Sequence, residues 1–390
     1  MKYEFADCAI DTGTQELRVG GQIRAVEPQV LRLLLYLIDN RHRVVSRDDL
    51  VDAVWGGRIV SEAAIAGAIS AARKAVGDSG ARQQLIKTVA RRGVRFVADL
   101  TSAAPEHAAV DAKPELHICR AADGVGITYS RVGNGKPLIK TASWINHLQH
   151  DWTSPVFGDM LHRLASRREL IWYDQRGAGL SERNVTDLSF EALAGDLYAV
   201  AEAVGDGPVS ILGISQGAAL AIDFASRYPD RVSRLVLWGG YARGRNRRGD
   251  HADVAFADAF AKLLREGWGT DHPAFRRMFS SLYLPEASEE QVRWWIDMQR
   301  VSTTPETAAA LARTSNNIDV SAMLSRVTAP TLLVHSARDA VVPLAEAVFV
   351  AARIGDSKLS VIDSANHLVL PHEPAWETAM QEIERFLAPA

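Results

Sequence analysis

The chain has 390 residues, of which 47% are hydrophobic and 23% charged, and its formal net charge is −3. This length favours two domains, and the composition excludes a disordered or fibrous protein. No apolar run approaches the ~18 residues of a membrane helix, the first residues lack a signal-peptide pattern, and Cys8 and Cys119 are far apart without metal-ligand neighbours. We therefore expect a cytoplasmic protein with no membrane span, no disulfide framework, no metal and no cofactor.

Charge is distributed unevenly along the chain. Residues 1–100 contain 15 Lys and Arg against 12 Asp and Glu, whereas the remainder contains 29 against 35. A mildly basic N-terminal part on an acidic remainder indicates an anionic partner for the first part. Residues 101–114 are small and polar and include two prolines, which predicts a linker between two domains.

Residues 1–100 show strand candidates, then three helical patterns, then a hairpin. Pro28 can occupy the first position of a helix that ends near Asn40, and Ser46 resembles the start of a second helix. The third helix is predicted from about Glu62 to Val76 by its apolar periodicity. Two short strands then flank the sequence Ala-Arg-Arg-Gly at residues 90–93, which predicts a basic hairpin tip.

This order of elements, together with residues 43–50 and 86–96, resembles the OmpR/PhoB-type winged helix-turn-helix domain. The resemblance implies double-stranded DNA as a partner, with the third helix in the major groove and the hairpin tip in the adjacent minor groove. The predicted DNA contacts are Ser70, Arg73, Lys74, Lys87, Arg91 and Arg92. Because one such domain reads only a short half-site, a homodimer is expected on DNA. The alternative is a protein-interaction domain without DNA affinity.

The remainder of the chain alternates apolar runs with helical patterns, which predicts βαβ units and a mostly parallel sheet. Strands are predicted at residues 125–129, 137–140, 170–173, 209–212, 234–238, 331–335 and 358–362. Residues 241–320 contain no convincing strand and several amphipathic helical patterns. They are therefore predicted to form a helical cap.

A Gly-x-Ser-x-Gly sequence with Ser215 at its centre lies between a predicted strand and a predicted helix. Strand, sharp turn and helix are what a nucleophile elbow requires. Asp339 and His367 each follow a later strand, in the chain order Ser, acid, His. We therefore predict a catalytic triad in which His367 takes the proton of Ser215 and Asp339 fixes the imidazole tautomer.

Residues 115–390 resemble the α/β-hydrolase family in four motifs that occur in order: the Ser215 pentamer, residues 174–181, the Asp339 loop and the His367 loop. The resemblance implies an oxyanion hole built from the N–H groups of Trp144 and Gln216. One loop departs from the family, because the usual His-Gly is absent and Ser143 precedes Trp144. Losing one oxyanion donor would reduce the rate roughly 10²–10³-fold.

The sequence thus predicts an α/β fold class: an N-terminal winged helix-turn-helix at residues 1–100 and a C-terminal α/β-hydrolase fold at 115–390 with a helical cap. Most cap aromatics are expected to pack between helices, and a few to line an apolar pocket above Ser215. The arginines at 243, 245, 247 and 248 are predicted to lie in a solvated loop, with anion binding or DNA contact as the alternative.

Two hypotheses about function remain. The first is a transcriptional regulator whose hydrolase domain senses, and hydrolyses, a small ester, lactone or acyl ligand. Its basis is the fusion itself, since neither a receiver domain before residue 1 nor a membrane helix after the first domain is expected. The alternative is primarily a serine hydrolase, an esterase, lactonase or C–C hydrolase, with an accessory winged helix.

Overall fold

The structure is a computed structural model that describes residues 2–11, 16–41, 43–56, 58, 60–90, 92–98, 113–270 and 272–388. The chain divides into two compact units, Met1–Glu106 and His107–Ala390. Of the predicted linker at 101–114, only Lys113 and Pro114 belong to the described residues.

The first unit consists of an antiparallel sheet, three helices and an antiparallel hairpin, in that order along the chain. Its elements are β1 (Lys2–Phe5), β2 (Cys8–Asp11), β3 (Glu16–Val19), β4 (Gln22–Arg24), α1 (Pro28–Asp39), α2 (Arg47–Trp55), α3 (Glu62–Ala75), β5 (Ile86–Val89) and β6 (Gly93–Phe96). The sheet order is β1-β2-β3-β4, and β5 pairs with β6. This is a winged helix, as the sequence predicts.

The helices of this unit begin where the sequence provides caps. Pro28 starts α1, and Ser46 and Asp49 cap the start of α2 reciprocally, since each side chain accepts a backbone N–H of the other residue. The Ser61 side chain accepts the N–H of Ala64 at the start of α3. The first sheet and the hairpin share one core, because the Phe5 ring meets that of Phe96 edge-on at 5.0 Å.

The second unit contains an eight-stranded sheet with strand order β14-β13-β12-β11-β9-β10-β8-β7. Its strands are β7 (Glu115–Arg120), β8 (Gly126–Val132), β9 (Pro137–Lys140), β10 (Glu169–Tyr173), β11 (Val209–Ile214), β12 (Val232–Trp238), β13 (Thr331–Ser336) and β14 (Ser357–Ile362). Its helices are α4 (Leu148–Trp152), α5 (Gly158–Ala165), α6 (Phe190–Val204), α7 (Gln216–Arg227), α8 (His251–Gly267), α9 (Pro273–Tyr283), α10 (Glu289–Ser302), α11 (Pro305–Asn317), α12 (Leu344–Ala351) and α13 (Pro374–Leu387).

Strands β9 to β14 run parallel, whereas β8 is antiparallel to both of its neighbours. Every strand predicted in this unit is present. The edge strand β7 was not predicted, because its polar and apolar residues alternate and its apolar side chains remain accessible: Ile118 is 73% exposed. An edge strand therefore lacks the continuous apolar run that marks the buried strands.

The segment predicted as a cap is helical. Within its described residues, α8 to α11 are accompanied by one isolated β-bridge, between Arg243 and Asp319, and by no strand. No helix in the described part of the chain combines the length and apolar character needed to cross a membrane.

Candidate functional site

Ser215 stands at the sharp turn between β11 and α7. Its backbone has φ +53° and ψ −121°, and among the described residues of the second unit no other residue except glycine has a positive φ. Such a conformation is unfavourable for a side chain and persists only where the surroundings enforce it. Here the Ser215 N–H donates to Trp238 O at 3.0 Å and its carbonyl accepts the Ala218 N–H at 3.1 Å.

The two glycines of the pentamer are required by close packing at this turn. A Cβ atom on Gly217 would lie 2.1 Å from Thr141 Oγ1 and 2.5 Å from the carbonyl oxygen of Ala142. A Cβ atom on Gly213 would lie 2.7 Å from the Cα of Ala218. Helix α7 can therefore start directly against the loop after β9 only because both positions lack a side chain.

Asp339 and His367, 28 residues apart in the sequence, are in direct contact. His367 Nδ1 lies 2.6 Å from Asp339 Oδ2, and both side chains are almost completely buried. The other carboxylate oxygen accepts the N–H groups of Val341 and Val342. Burial alone would raise the pKa of Asp339, but the charge and hydrogen bond of His367 and the Val342 N–H outweigh it and hold that pKa below its usual range.

The remaining ring nitrogen of His367, Nε2, is buried and has no hydrogen-bond partner among the described residues. Such an imidazole nitrogen is available for a proton from a nucleophile. The loop that carries His367 also contacts the cap, because the backbone N–H of His367 donates to Tyr283 O at 2.8 Å. In the same loop Asn366 Oδ1 accepts the Glu286 N–H at 3.0 Å.

A second histidine near Asp339 was not singled out from the sequence. His335 on β13 is buried, and its Nε2 lies 2.8 Å from Val342 O and 3.7 Å from Asp339 Oδ2. Burial lowers the pKa of His335, so the neutral ring is favoured, with its proton on the nitrogen that meets the carbonyl. In the sequence, His335 is one histidine within the apolar run of a buried strand, and that pattern does not indicate that it lies beside Asp339.

Ser215 lines a cavity of the second unit. Its walls come from the cap and from the loops after β9, β12 and β13, and include the aromatic residues Trp144, Tyr241, Phe256, Phe260 and Tyr283. Several cap aromatics thus line the cavity, as expected, whereas Trp294 and Trp295 pack on each other and on neighbouring rings. A mostly apolar cavity beside a strained serine is suited to a small organic ligand.

Trp144 and Gln216, the predicted oxyanion donors, both line this cavity with Ser215. Gln216 is the first residue of α7. Its N–H has no acceptor within the helix, and it lies at the positive end of the helix dipole. Ser143 does not have a positive φ, so the backbone there requires no glycine. The loop is fixed by Gln175 Nε2, which donates to Trp144 O at 2.8 Å.

The segment at residues 174–181 contacts the cap and contains a buried ion-pair network. Arg176 is buried and its guanidinium pairs with Asp196 at 2.8 Å and Asp123 at 2.5 Å. The loop also holds the cap, since Gly179 N–H donates to Ser302 O and the Thr303 hydroxyl donates to Gly177 O. This motif is therefore structural and contributes no side chain to the cavity lining.

The family model for the alpha/beta hydrolase fold matches residues 141–374, more than half of the chain. The chain belongs to the α/β-hydrolase family.

Two curated relatives of the hydrolase unit are named as an esterase and a deacetylase. The chain is 30% identical over 239 residues to a pimeloyl-[acyl-carrier protein] methyl ester esterase of Neisseria meningitidis serogroup A, a match that covers 59% of this chain and 73% of that protein. It is 24% identical over 254 residues to the pyrrolizixenacetamide deacetylase of Xenorhabdus hominickii, covering 63% of this chain and 91% of that protein.

Solved structures of α/β-hydrolases share the fold. An esterase from Exiguobacterium antarcticum superimposes with a TM-score of 0.59 at 21% identity, covering 69% of this chain and 98% of that structure. The enol-lactonase from Burkholderia xenovorans LB400 superimposes with a TM-score of 0.56 at 19% identity, covering 70% of this chain and 99% of that structure. At these identities the likeness establishes the fold alone.

The winged-helix unit precedes the α/β-hydrolase unit and carries a second family match. Residues 21–96 match the model for the C-terminal domain of transcriptional regulatory proteins. The exposed part of α3 includes Ser70 and Lys74, and the hairpin exposes Lys87 and Arg92. These four predicted DNA contacts are accessible, whereas Arg91 lies outside the described residues.

The structure does not agree with the predicted contact between Arg73 and DNA. Its side chain is buried, with Nε donating to Ile86 O at 3.0 Å and Nη2 to Thr88 Oγ1 at 2.9 Å. The guanidinium therefore fastens α3 to β5 and does not extend toward a phosphate. In the sequence, Arg73 lies near the end of the apolar pattern of α3. That pattern does not show whether its side chain points toward the hairpin or toward solvent, because the hairpin is a separate segment of the chain.

Proposed function

We propose that this protein is a DNA-binding transcriptional regulator whose α/β-hydrolase unit binds and cleaves a small ester, lactone or acyl ligand at Ser215. The observation that carries the proposal is the 2.6 Å contact between His367 and Asp339, in a unit whose Ser215 is held in a strained turn at the cavity. The match of residues 21–96 to a transcriptional regulatory domain supports the DNA-binding part.

The chemistry follows from the roles of these side chains. Ser215 Oγ attacks the acyl carbonyl carbon while its proton passes to His367 Nε2, and Asp339 stabilises the resulting imidazolium. The N–H groups of Trp144 and Gln216 receive the oxyanion. Collapse expels the alkoxide side of the ester or lactone, which takes the proton from His367. Water then attacks the acyl-serine by the same route and releases the acid and free Ser215.

Ester and lactone bonds are favoured as the substrate class for two reasons. The cavity is lined mainly by apolar and aromatic side chains, which accommodate an acyl chain or ring. The relatives named as a methyl ester esterase and a deacetylase support acyl-group chemistry. Cleavage would remove the ligand that alters DNA binding, so that the signal limits itself.

The test uses a fluorophosphonate, which reacts with an activated serine without resembling a particular substrate. The full chain is labelled and its intact mass measured beside Ser215→Ala. Ser226→Ala is the matched control, because Ser226 lies on the same helix and its hydroxyl donates to Asp223 O. DNA duplexes selected from a random library then report affinity before and after labelling, since the phosphonylated serine imitates the tetrahedral intermediate of acyl transfer.

Stoichiometric labelling that only Ser215→Ala abolishes, with a change in DNA affinity of about fivefold or more, is the expected result. Labelling without any change in DNA affinity would favour the second candidate, a serine hydrolase with an accessory winged helix, which the contact between His367 and Asp339 and the strained turn at Ser215 support. No labelling of the folded wild type would contradict hydrolysis. No DNA binding at all would contradict the regulator.

A further inference from the structure

The cavity of the hydrolase unit contains a charged group that the triad does not use. After β12, the chain forms a short 3₁₀ turn at Arg245–Arg247, and the side chains of Arg245 and Arg248 join the wall of the Ser215 cavity. Their exposed fractions are only 15% and 8%. The solvated loop predicted from the sequence is therefore wrong for these two arginines, whereas Arg247 is exposed and does not line this cavity.

Arg245 and Arg248 differ in how their guanidinium groups are satisfied. Arg245 pairs with Asp253 at 3.0 Å and donates to the carbonyl oxygens of Ala340 and Val341. Arg248 donates from Nε to Arg243 O at 3.1 Å, but its Nη1 is buried and forms no hydrogen bond within the described residues. Asp253 has the nearest carboxylate in the described part of the chain, and it is 3.8 Å from that nitrogen, beyond hydrogen-bond distance.

The charge around these arginines is also incompletely balanced. Arg243, Arg245 and Arg248 are in ion-pair contact with two carboxylates, Asp253 and Glu346. Among the described residues this leaves one positive charge without a carboxylate of its own, and burial lowers the pKa of the Arg248 guanidinium. A buried cation with an unused N–H donor is unfavourable unless an anion completes it.

We propose that Arg248 forms an anion subsite in the Ser215 cavity, and that the ligand is an ester or lactone that carries a carboxylate. The inference rests on the proposed function and adds the chemical class of the substrate. A carboxylate matches the planar fork of a guanidinium and accepts two hydrogen bonds from it. Phe256 and Phe260 line the same cavity, so an apolar spacer between the carboxylate and the reacting carbonyl is accommodated.

The experiment compares two 4-nitrophenyl esters of similar length, the mono-ester of glutaric acid, which is anionic, and the ester of pentanoic acid, which is neutral. The readout is the ratio of kcat/KM for the anionic ester to that for the neutral ester. It is measured for the full-length wild type, Arg248→Gln, Arg248→Lys and the control Arg247→Gln. We expect Arg248→Gln to lower the ratio about 30-fold or more, Arg248→Lys to restore part of it, and Arg247→Gln to preserve it.

A ratio that is the same in wild type and Arg248→Gln would overturn the anion subsite while leaving hydrolysis at Ser215 intact. The subsite is tested separately from catalysis by calorimetric titration of Ser215→Ala with monomethyl glutarate and with neutral dimethyl glutarate. Binding of the monoanion that is tighter than that of the diester, and that Arg248→Gln in the same background abolishes, supports the subsite even if fluorophosphonate labelling fails. Equal binding of the two compounds, or binding of neither, overturns it.

Discussion

Buried charged side chains serve different purposes in the winged helix and around the Ser215 cavity. In the winged helix, buried Asp78 and Arg73 bind backbone groups and hold the hairpin to α3. In the α/β-hydrolase, buried Asp339 binds His367 and Arg248 faces the cavity. In these examples a buried charge is a structural clamp in the winged helix and part of the Ser215 cavity site in the α/β-hydrolase, although buried Arg176 in the second unit is also structural. Arg73 and Asp78 bind main-chain groups and, for Arg73, the Thr88 hydroxyl. Asp339 differs because it also binds the ring of His367, and Arg248 differs because its Nη1 has no hydrogen bond within the described residues.

Asp78 illustrates the structural use. Its carboxylate accepts the N–H groups of Ser79, Gln84, Leu85 and Ile86 at 2.7–3.1 Å. Burial would raise the pKa of this carboxyl, but these four donors outweigh it and lower the pKa. All four of these hydrogen bonds come from main-chain N–H groups in the segment that leads into β5.

The largest effect is expected from Asp339→Asn. The amide cannot hold the His367 tautomer that leaves Nε2 free to accept a proton, so kcat for a reactive 4-nitrophenyl ester should fall about 10⁴-fold. Asp363→Asn is the control, because Asp363 is exposed and its ion-pair partner is Arg338 at the surface. A loss of less than tenfold for Asp339→Asn would mean that this buried carboxylate is a clamp like Asp78.

The second effect concerns Asp78→Ala, which leaves four N–H groups without their acceptor. The free energy of opening the β5–β6 hairpin should fall by about 3 kcal/mol, measured by amide hydrogen exchange in the full-length chain. Asp48→Ala, at an exposed position in the first turn of α2, should change it by no more than about 0.5 kcal/mol. Unchanged hairpin protection in Asp78→Ala would remove the contrast between the two units.

The third effect separates the cations of the winged helix. Lys87→Ala and Arg92→Ala should each make the logarithmic salt dependence of DNA binding less steep by about 0.9, the value for one lost phosphate contact. Arg73→Met should leave that slope unchanged and instead reduce hairpin protection, because its guanidinium binds Ile86 O and Thr88. A less steep salt dependence for Arg73→Met would instead support the contact between Arg73 and DNA that the sequence predicts.

The smallest effect is expected at the start of α2. Hydrogen bonds from Arg43 and Ser46 hold the pKa of Asp49 at about 2, against a usual 3.8. Because the folded-state pKa is the lower one, the stabilisation is fully present above pH 4 and is lost as the pH falls toward 2. Protection of α2 amides should decrease over that interval by about 1 kcal/mol, and Asp49→Asn should remove the pH dependence. A pH-independent difference between the two proteins would contradict this origin.

The parts of the molecule that sequence predicted are those in which local pattern and geometry coincide. Continuous apolar runs marked the buried strands, and the glycines around Ser215 marked a turn that only small residues permit. The acid and histidine loops followed from the chain order of the family. Edge strand β7 lacked such a run.

Charged residues were harder to interpret, because a sequence reveals the charge of a side chain and not its direction. Arg73 and Lys74 are adjacent, yet one is buried against the hairpin and the other is exposed. Arg247 and Arg248 differ in the same way. In each pair a rotation of one residue along a helix or turn decides the environment, and that rotation depends on segments distant in the chain.

The attachment of the histidine loop to the cap makes one proton a reporter of ligand entry. The His367 backbone N–H donates to Tyr283 O at the end of α9, so a displacement of α9 from the sheet would move the residue whose Nδ1 contacts Asp339 Oδ2. A ring proton in a short imidazole–carboxylate hydrogen bond, such as the one between His367 and Asp339, resonates at low field in nuclear magnetic resonance spectra. Line broadening of this single resonance would therefore measure how often the cavity opens, without a probe attached to the cap.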